Sequence, residues 1–147
     1  MKKFNELSCD ELYAILALRA QVFIVEQNCP YQDLDGIDQE AYHVYAHEEG
    51  EIVAYLRVIE KGKRLDEASI GRVISIKRRQ GLGTMLLKEG LRVAKEKYGA
   101  TIVKIGAQTY AKPFYEGVGF RQISNEYEED GIPHVYMIYE EGKHGND

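Results

Sequence analysis

Apolar residues in the first part of the chain recur with a helical period. Leu12, Ile15, Leu16, Val22 and Phe23 share one stripe, and Ser8 with Glu11 three residues on makes the reciprocal cap that opens a helix. Arg19 falls on that stripe, where a charge needs an ionic partner or a wet pocket. A salt-bridged or snorkelling arginine and a substrate-facing one are the two readings. After the acidic, turn-rich "NCPYQDLDGIDQEA" the period drops to two. "YHVYAHEEGEIVAYLRVIE" alternates on both sides of "EEGE", which predicts a hairpin, and "ASIGRVIS" predicts a further strand. A helix follows from about Leu82 to Tyr98, with Leu82, Met85, Leu86, Leu91 and Ala94 on its apolar side and Gly99 as its C-cap. Gly90 inside it costs roughly 1 kcal/mol against alanine, so close packing is expected there. "TIVKIGAQ" reads as a strand buried on both faces. "KPFYEGVGF" reads as a short helix with Pro113 early and Gly117 or Gly119 at its end. "FRQISNEYE" and "HVYMIYE" are two last strands around the turn "EDGIP". The order is helix, three strands, helix, strand, helix, two strands. It predicts an α/β or α+β fold, a sheet with helices packed on its faces.

Composition narrows the classes. The 147 residues suit one domain, residues 1–147, and 44% hydrophobic residues suffice for one core. No run reaches the roughly 20 apolar residues of a membrane span, and "MKKFNELSCDEL" lacks a signal-peptide segment; a cytoplasmic protein without a membrane partner is expected. The balance of 19 basic to 24 acidic residues, net −5, carries no basic stripe beyond "KRR", which argues against a nucleic-acid partner. Cys9 and Cys29 are expected to be free thiols. No Cys/His pair has zinc-site spacing and no HExxH occurs, so no metal is expected.

The chemistry concentrates in "RRQGLGTMLLKEGL". A strand, then glycines, then a helix aims main-chain N–H groups at one point, where the helix dipole adds about half a positive charge. Gly81 and Gly83 let a ligand approach the backbone, and Arg78 and Arg79 add charge-assisted contacts to an anion. A nucleotide-triphosphatase loop would need GxxxxGK[ST], but no lysine precedes Thr84; a dinucleotide fingerprint would need glycine where Leu86 stands. An ordinary loop with helix-capping glycines is the plain alternative.

"RRQGLG", preceded by "GRVIS" and followed by "AKPFYEGVGF", resembles the (R/Q)-x-x-G-x-(G/A) signature and flanking segments of the GCN5-related N-acetyltransferases. "VFIVEQNCPYQDLDG", "GAQTYAKPFYEGVGF" and "YEEDGIPHVYM" resemble the ElaA-like branch of that family. The resemblance implies a single-domain acyltransferase fold: a mixed, mostly antiparallel sheet splayed at its fourth and fifth strands, with helices on both faces. It implies acetyl-CoA as cosubstrate, its pyrophosphate on Arg78, Arg79, Gln80, Gly81, Leu82, Gly83 and Thr84, and its pantetheine arm along Val73, Ile74 and Ser75. Gly71 before them permits a bulge. Many members carry Asn after the fifth strand; here the nearest polar residue is Gln108, which puts that contact in doubt.

The implied reaction moves an acetyl group to a primary amine of a small molecule or peptide. An alkylammonium is only about 0.04% neutral at pH 7, so the attacking amine must lose a proton, and the departing thiolate gains from an acid. Tyr115 matches the family's general-acid tyrosine. For the base, Glu26 in "VEQ" stands first, with His134 and His43 behind it; Glu26 could equally pair with Arg19, and ordered water could replace any of them. "QDLDGIDQE" and "EYEEDG" are either solvated loops or acidic walls that steer a cationic acceptor. The rival readings are a non-catalytic acyl-CoA sensor and an RNA-directed acetyltransferase, and the resemblance leaves room for a homodimer.

Overall fold

The computed structural model describes residues 1–76 and 81–142. Helix α1 (Cys9–Arg19) opens with the expected cap: Glu11 N donates to Ser8 Oγ (3.0 Å) and Ser8 N to Glu11 Oε1 (2.8 Å). Its stripe does not end in an ordinary last turn. The chain winds on in π form over Ala20–Glu26, a wider turn that periodicity at 3.6 residues does not reveal. Strand β1 (Lys2–Lys3), too short for a period to show, pairs with β2 (Tyr42–Glu48). Lys2 and Tyr45 both bond the Glu11 carboxylate, which fastens the start of α1 to the sheet.

The hairpin from β2 to β3 (Glu51–Ile59) turns on Glu49 and Gly50, at φ +52° and +80°. Two left-handed residues make the tight turn whose twist suits a hairpin. β3 is buried from Val53 to Ile59 because helices cover both its faces. Leu56 and Val58 pack with Leu87 and Val93 of α2 (Leu82–Tyr98), whereas Tyr55 packs with Ile15 of α1. The expected close packing at Gly90 is present: a Cβ there would lie 3.0 Å from Leu56 Cδ1 and 3.1 Å from Ile70 Cδ1. Met85, expected inside, is 59% exposed. The inward arc of α2 is Leu86, Leu87, Gly90, Val93 and Ala94, and Met85 lies just off it.

The remaining elements are β4 (Ala68–Ser75), β5 (Ile102–Gln108), α3 (Lys112–Val118), β6 (Arg121–Gln122), β7 (Tyr127–Glu129) and β8 (Ile132–Glu140). The sheet runs β1-β2-β3-β4-β5-β8-β6, with β7 also on β8. β5 is not buried on both faces. Val103, Ile105 and Ala107 enter the core, while Lys104, Gly106 and Gln108 are half-buried on the other side, where the cleft described below opens. The segment expected as one strand, "FRQISNEYE", is broken into β6 and β7. Between them the Ser124 hydroxyl accepts from Tyr136 N (2.9 Å) in place of a ladder carbonyl. No described helix is long and apolar enough to cross a membrane.

The pairing that matters for function is β4 with β5. It is parallel, whereas the sheet's other pairings among the described residues are antiparallel, and its register covers only Ala68 with Val103 and Ser69 with Lys104. Beyond that point the strands part.

Candidate active site

The parting of β4 from β5 begins beside a bulge. Arg57 pairs with Gly71, but Tyr55 pairs with Ile74, so Arg72 and Val73 share the space opposite Leu56. The left-handed residue of this bulge is Arg72, at φ +53°, rather than Gly71. A non-glycine residue holds that conformation only when its surroundings impose it. Here Arg72 Nε donates to Asp33 Oδ1 (2.7 Å) and Nη2 to the Asp33 carbonyl (2.9 Å), with the guanidinium 5.5 Å from the Tyr31 ring centre.

A cavity of about 170 Å³ fills the gap. Gly71, Arg72 and Val73 of β4 form one wall, Gly106 and Gln108 of β5 another, and Tyr115 and His134 close it from α3 and β8. Phe23, Gln27 and Tyr31 reach it from the π-helical turn and the loop after it. A hollow of about 470 Å³ between α2, α3 and Tyr139 holds none of the catalytic or cosubstrate-binding candidates named from sequence.

Tyr115 and His134 are thus brought into one cleft. Tyr115 packs edge-on against Phe114 and Phe120, and burial pushes its phenol above the ordinary value. It stays protonated at neutral pH, as an acid must. His134 Nδ1 lies 2.7 Å from the Ile132 carbonyl. A carbonyl only accepts, so Nδ1 carries the proton and the neutral ring keeps its lone pair on Nε2. That nitrogen is 3.9 Å from Glu129 Oε2, and both side chains line the cavity.

Gln108 exchanges amide hydrogen bonds with Gln27 (3.3 and 3.4 Å), which ties the end of β5 to the π-helical turn across the cleft. Gly81 takes φ +80° as the N-cap of α2 and has no side chain to cap it, so among the described residues no side-chain cap closes the helix start. Gly83 faces Ser75 and Phe114; a Cβ on it would lie 3.2 Å from Ser75 Cβ and 3.4 Å from Phe114 Cε1. Leu82 and Thr84 are half-buried in the same turn. Val73 lines the cavity, the Ile74 side chain joins the α1 core, and Ser75 is exposed at the end of β4. Arg78, Arg79 and Gln80 lie outside the described residues.

Other sequence candidates go elsewhere. Glu26 is exposed, lies 3.4 Å from Gln21 Nε2, and is absent from the cavity wall. It does not pair with Arg19, which is fully buried and bonds Asp33 (3.0 Å) and Asp38 (2.8 Å). His43 is also fully buried. Its Nε2 donates to the Asp38 carbonyl (2.9 Å) and its Nδ1 accepts from the Tyr55 hydroxyl (2.7 Å), so neither nitrogen is free for catalysis. Burial, aided by the charges of Arg19 and Arg57, holds its pKa below the usual histidine value against the pull of Asp38. The acidic loop is no free wall either. Asp33, Asp35 and Asp38 are matched by Arg19, Arg57 and Arg72 in one network. Burial opposes the charge of Asp38, but its bonds to Arg19 and Arg57 outweigh that and keep the carboxyl below its ordinary value.

Sequence reasoning missed Gln27, Arg57 and Arg64 as cleft residues, whereas Glu129 belongs to "EYEEDG", one of the two acidic runs weighed as cleft walls. One signal was readable: Arg57 interrupts the apolar "IVAYLRVIE", just as Arg19 interrupts its helical stripe. Cys29 is buried on the cavity wall and Cys9 exposed; both are free thiols.

A family model described as an acetyltransferase (GNAT) domain matches residues 9–141. The chain belongs to the GNAT acetyltransferase family. Within it, the chain is 41% identical over 140 residues to Protein ElaA of Escherichia coli strain K12, covering 92% of each chain. The crystal structure of E. coli ElaA superposes with a TM-score of 0.84 at 40% identity, over 92% of this chain and 94% of that one. An acyl-CoA N-acyltransferase from Pseudomonas aeruginosa gives 0.86 at 38%, over 94% and 96%. An aminoglycoside 6'-N-acetyltransferase complexed with coenzyme A shares the fold at 14% identity, with a TM-score of 0.67 over 95% of each chain. The parting of β4 from β5 is the splay expected of that family, and the sheet is the expected single-domain GNAT acyltransferase fold.

Proposed function

We propose that this GNAT protein is an acetyl-CoA-dependent N-acetyltransferase of the cytoplasm, active on a primary amine of a small molecule or peptide. The observation that carries the reading is that Tyr115 and His134 line one cavity in the gap between β4 and β5. A sensor that merely held an acyl-CoA would need neither a protonated phenol nor an imidazole with a free lone pair. Three features suit the cosubstrate: the left-handed Gly81, the close packing of Gly83 on Ser75 that draws the start of α2 against the end of β4, and the open edge of β4 at Val73. In this reading the α2 N-terminus holds the pyrophosphate with Arg78, Arg79 and Gln80, and Val73 to Ser75 offer main-chain groups to the arm. The Val73 N–H stabilises the oxyanion. Gln108 contributes through its pairing with Gln27.

His134 Nε2 takes one proton from the ammonium, and the freed amine attacks the thioester carbonyl carbon. The new N–C bond forms as the carbonyl becomes an oxyanion. Collapse breaks the C–S bond; Tyr115 gives its proton to the thiolate, and the second amine proton passes to Tyr115 or solvent. The products are the acetamide, coenzyme A and one net proton. Glu129 beside His134 offsets the imidazolium formed on the way. His134 thus replaces Glu26 as the first choice of base, because it alone of the two lines the cavity.

Thiol release from acetyl-CoA across an amine panel tests the reading, and turnover of at least one amine is expected. Tyr115→Phe and His134→Gln should each lower kcat by roughly 10²-fold with little change in the KM for acetyl-CoA. Acetyl-CoA binding without turnover of any amine would favour the sensor, and salt-sensitive tRNA affinity would favour RNA-directed acetylation.

A further inference from the structure

The cavity between β4 and β5 is lined by both signs of charge, Arg57 and Arg64 with Glu129. Arg57 of β3 is 1% exposed and lines the cavity. Its Nη atoms bond Asp35 (2.9 and 2.6 Å) and Asp38 (3.0 Å), yet its Nε finds no hydrogen-bond partner among the described residues. A buried guanidinium N–H left empty is costly, and native folds rarely leave one so without a reason. The residue next to it on β4 is Gly71, where a Cβ would lie 3.9 Å from that Nε. Bare backbone at this point keeps the cavity close to an unused donor.

Arg64 lines the same cavity and reaches toward Glu129, Nη2 to Oε2 at 3.9 Å. That is an ion pair without a hydrogen bond. The same Glu129 oxygen lies 3.9 Å from His134 Nε2, and all four side chains line the one cavity. A simple amine would satisfy Glu129 and leave Arg57 and Arg64 without a ligand partner. A simple carboxylate would do the reverse. A molecule with both charges would split the long Arg64–Glu129 contact and give each half a nearer partner.

We propose that the acceptor is zwitterionic: a free amino acid whose carboxylate lies toward Arg57 Nε and Arg64, and whose ammonium lies at Glu129 and His134. This assignment rests on the amine-acetylation reading above and narrows it. It excludes peptide N-termini, which lack a carboxylate on the neighbouring carbon. The acyl step is unchanged: the amino nitrogen gains the acetyl group, coenzyme A leaves as the thiol, and the carboxylate takes no part in bond making.

The test compares kcat/KM in a thiol-release assay for each proteinogenic amino acid, its amide and its decarboxylated amine. At least one free amino acid should exceed its two neutral-ended counterparts by roughly tenfold or more, the scale of a lost charge-assisted hydrogen bond. Arg64→Gln removes the exposed cation and Gly71→Ala covers Arg57 Nε with a methyl at ordinary contact distance. Each should bring that ratio to within about twofold of unity, with the fold checked by circular dichroism. Decarboxylated amines turned over as well as or better than the amino acids would overturn the zwitterion and leave the acetyltransferase standing. Wild-type discrimination in both variants would overturn the assignment of the carboxylate to Arg57 and Arg64. Failure of every amine, with acetyl-CoA still bound, would remove the transferase reading and this one with it.

Discussion

Gly83 shows how much one missing side chain can decide. It stands in the first turn of α2, and a Cβ on it would press on Ser75 and Phe114 at 3.2 to 3.4 Å, tighter than ordinary contact. Gly83→Val should therefore abolish acetyl-CoA binding by titration calorimetry, since the side chain displaces Ser75 and Phe114 and with them the turn that offers the helix amides. Unchanged affinity in a folded variant would remove this turn from the cosubstrate site. The glycine and Tyr115 were legible because a motif places them, and His134 because "EDGIP" marks the turn before it. The ranking of the bases was not legible. Glu26 and His134 are 108 positions apart, and only the fold shows that one faces solvent and the other the cleft. The tautomer of His134 depends on the Ile132 carbonyl two residues back, a contact set by how β8 begins rather than by any residue's identity.

At the scale of elements, the two charges that break the hydrophobic pattern, Arg19 in α1 and Arg57 in β3, turn out to belong to one device. Both bond Asp38 Oδ1, at 2.8 and 3.0 Å, so the 31–38 loop clamps the helix to the sheet. Asp38→Ala leaves two buried guanidinium groups short of a partner and should cost roughly 3–5 kcal/mol in urea unfolding. Glu40→Ala breaks the Lys63 pair, whose partners are 43% and 58% exposed, and should cost about 0–1 kcal/mol. Equal effects would refute the clamp. The sequence pattern flagged each arginine as needing a partner, but the partners sit in a loop that has no period of its own. The strands and helices of regular period were readable; the π turn, the break between β6 and β7, and the Arg72 bulge were not. Each of these is a local departure with a non-local contact beside it: the Gln27 tie to β5, the Ser124 hydroxyl, and the Asp33 bond to Arg72.

For the whole molecule these buried groups make stability depend on pH in two stages. His43 is held neutral by burial first, and then by Arg19 and Arg57, with Asp38 opposing. Its folded pKa is depressed, so below about pH 6.5 the unfolded chain binds a proton that the native state refuses. Stability then falls as pH drops, by at most about 1.4 kcal/mol per unit for one proton, until His43 is protonated in the fold as well. The carboxylates act lower. Asp38 is held below its ordinary value by Arg19 and Arg57 despite burial, and Glu11 is drawn down to about 2, chiefly by Lys2. Their contribution is complete above about pH 4 and is lost as pH falls through the folded values. Urea midpoints between pH 7 and 2 should therefore show a shallow decline from about 6.5 and a steeper one below about 4. His43→Gln keeps a side chain able to bond but cannot take the proton. It should flatten the first decline and leave the second in place; a first decline of unchanged slope in that variant would show that another group carries it.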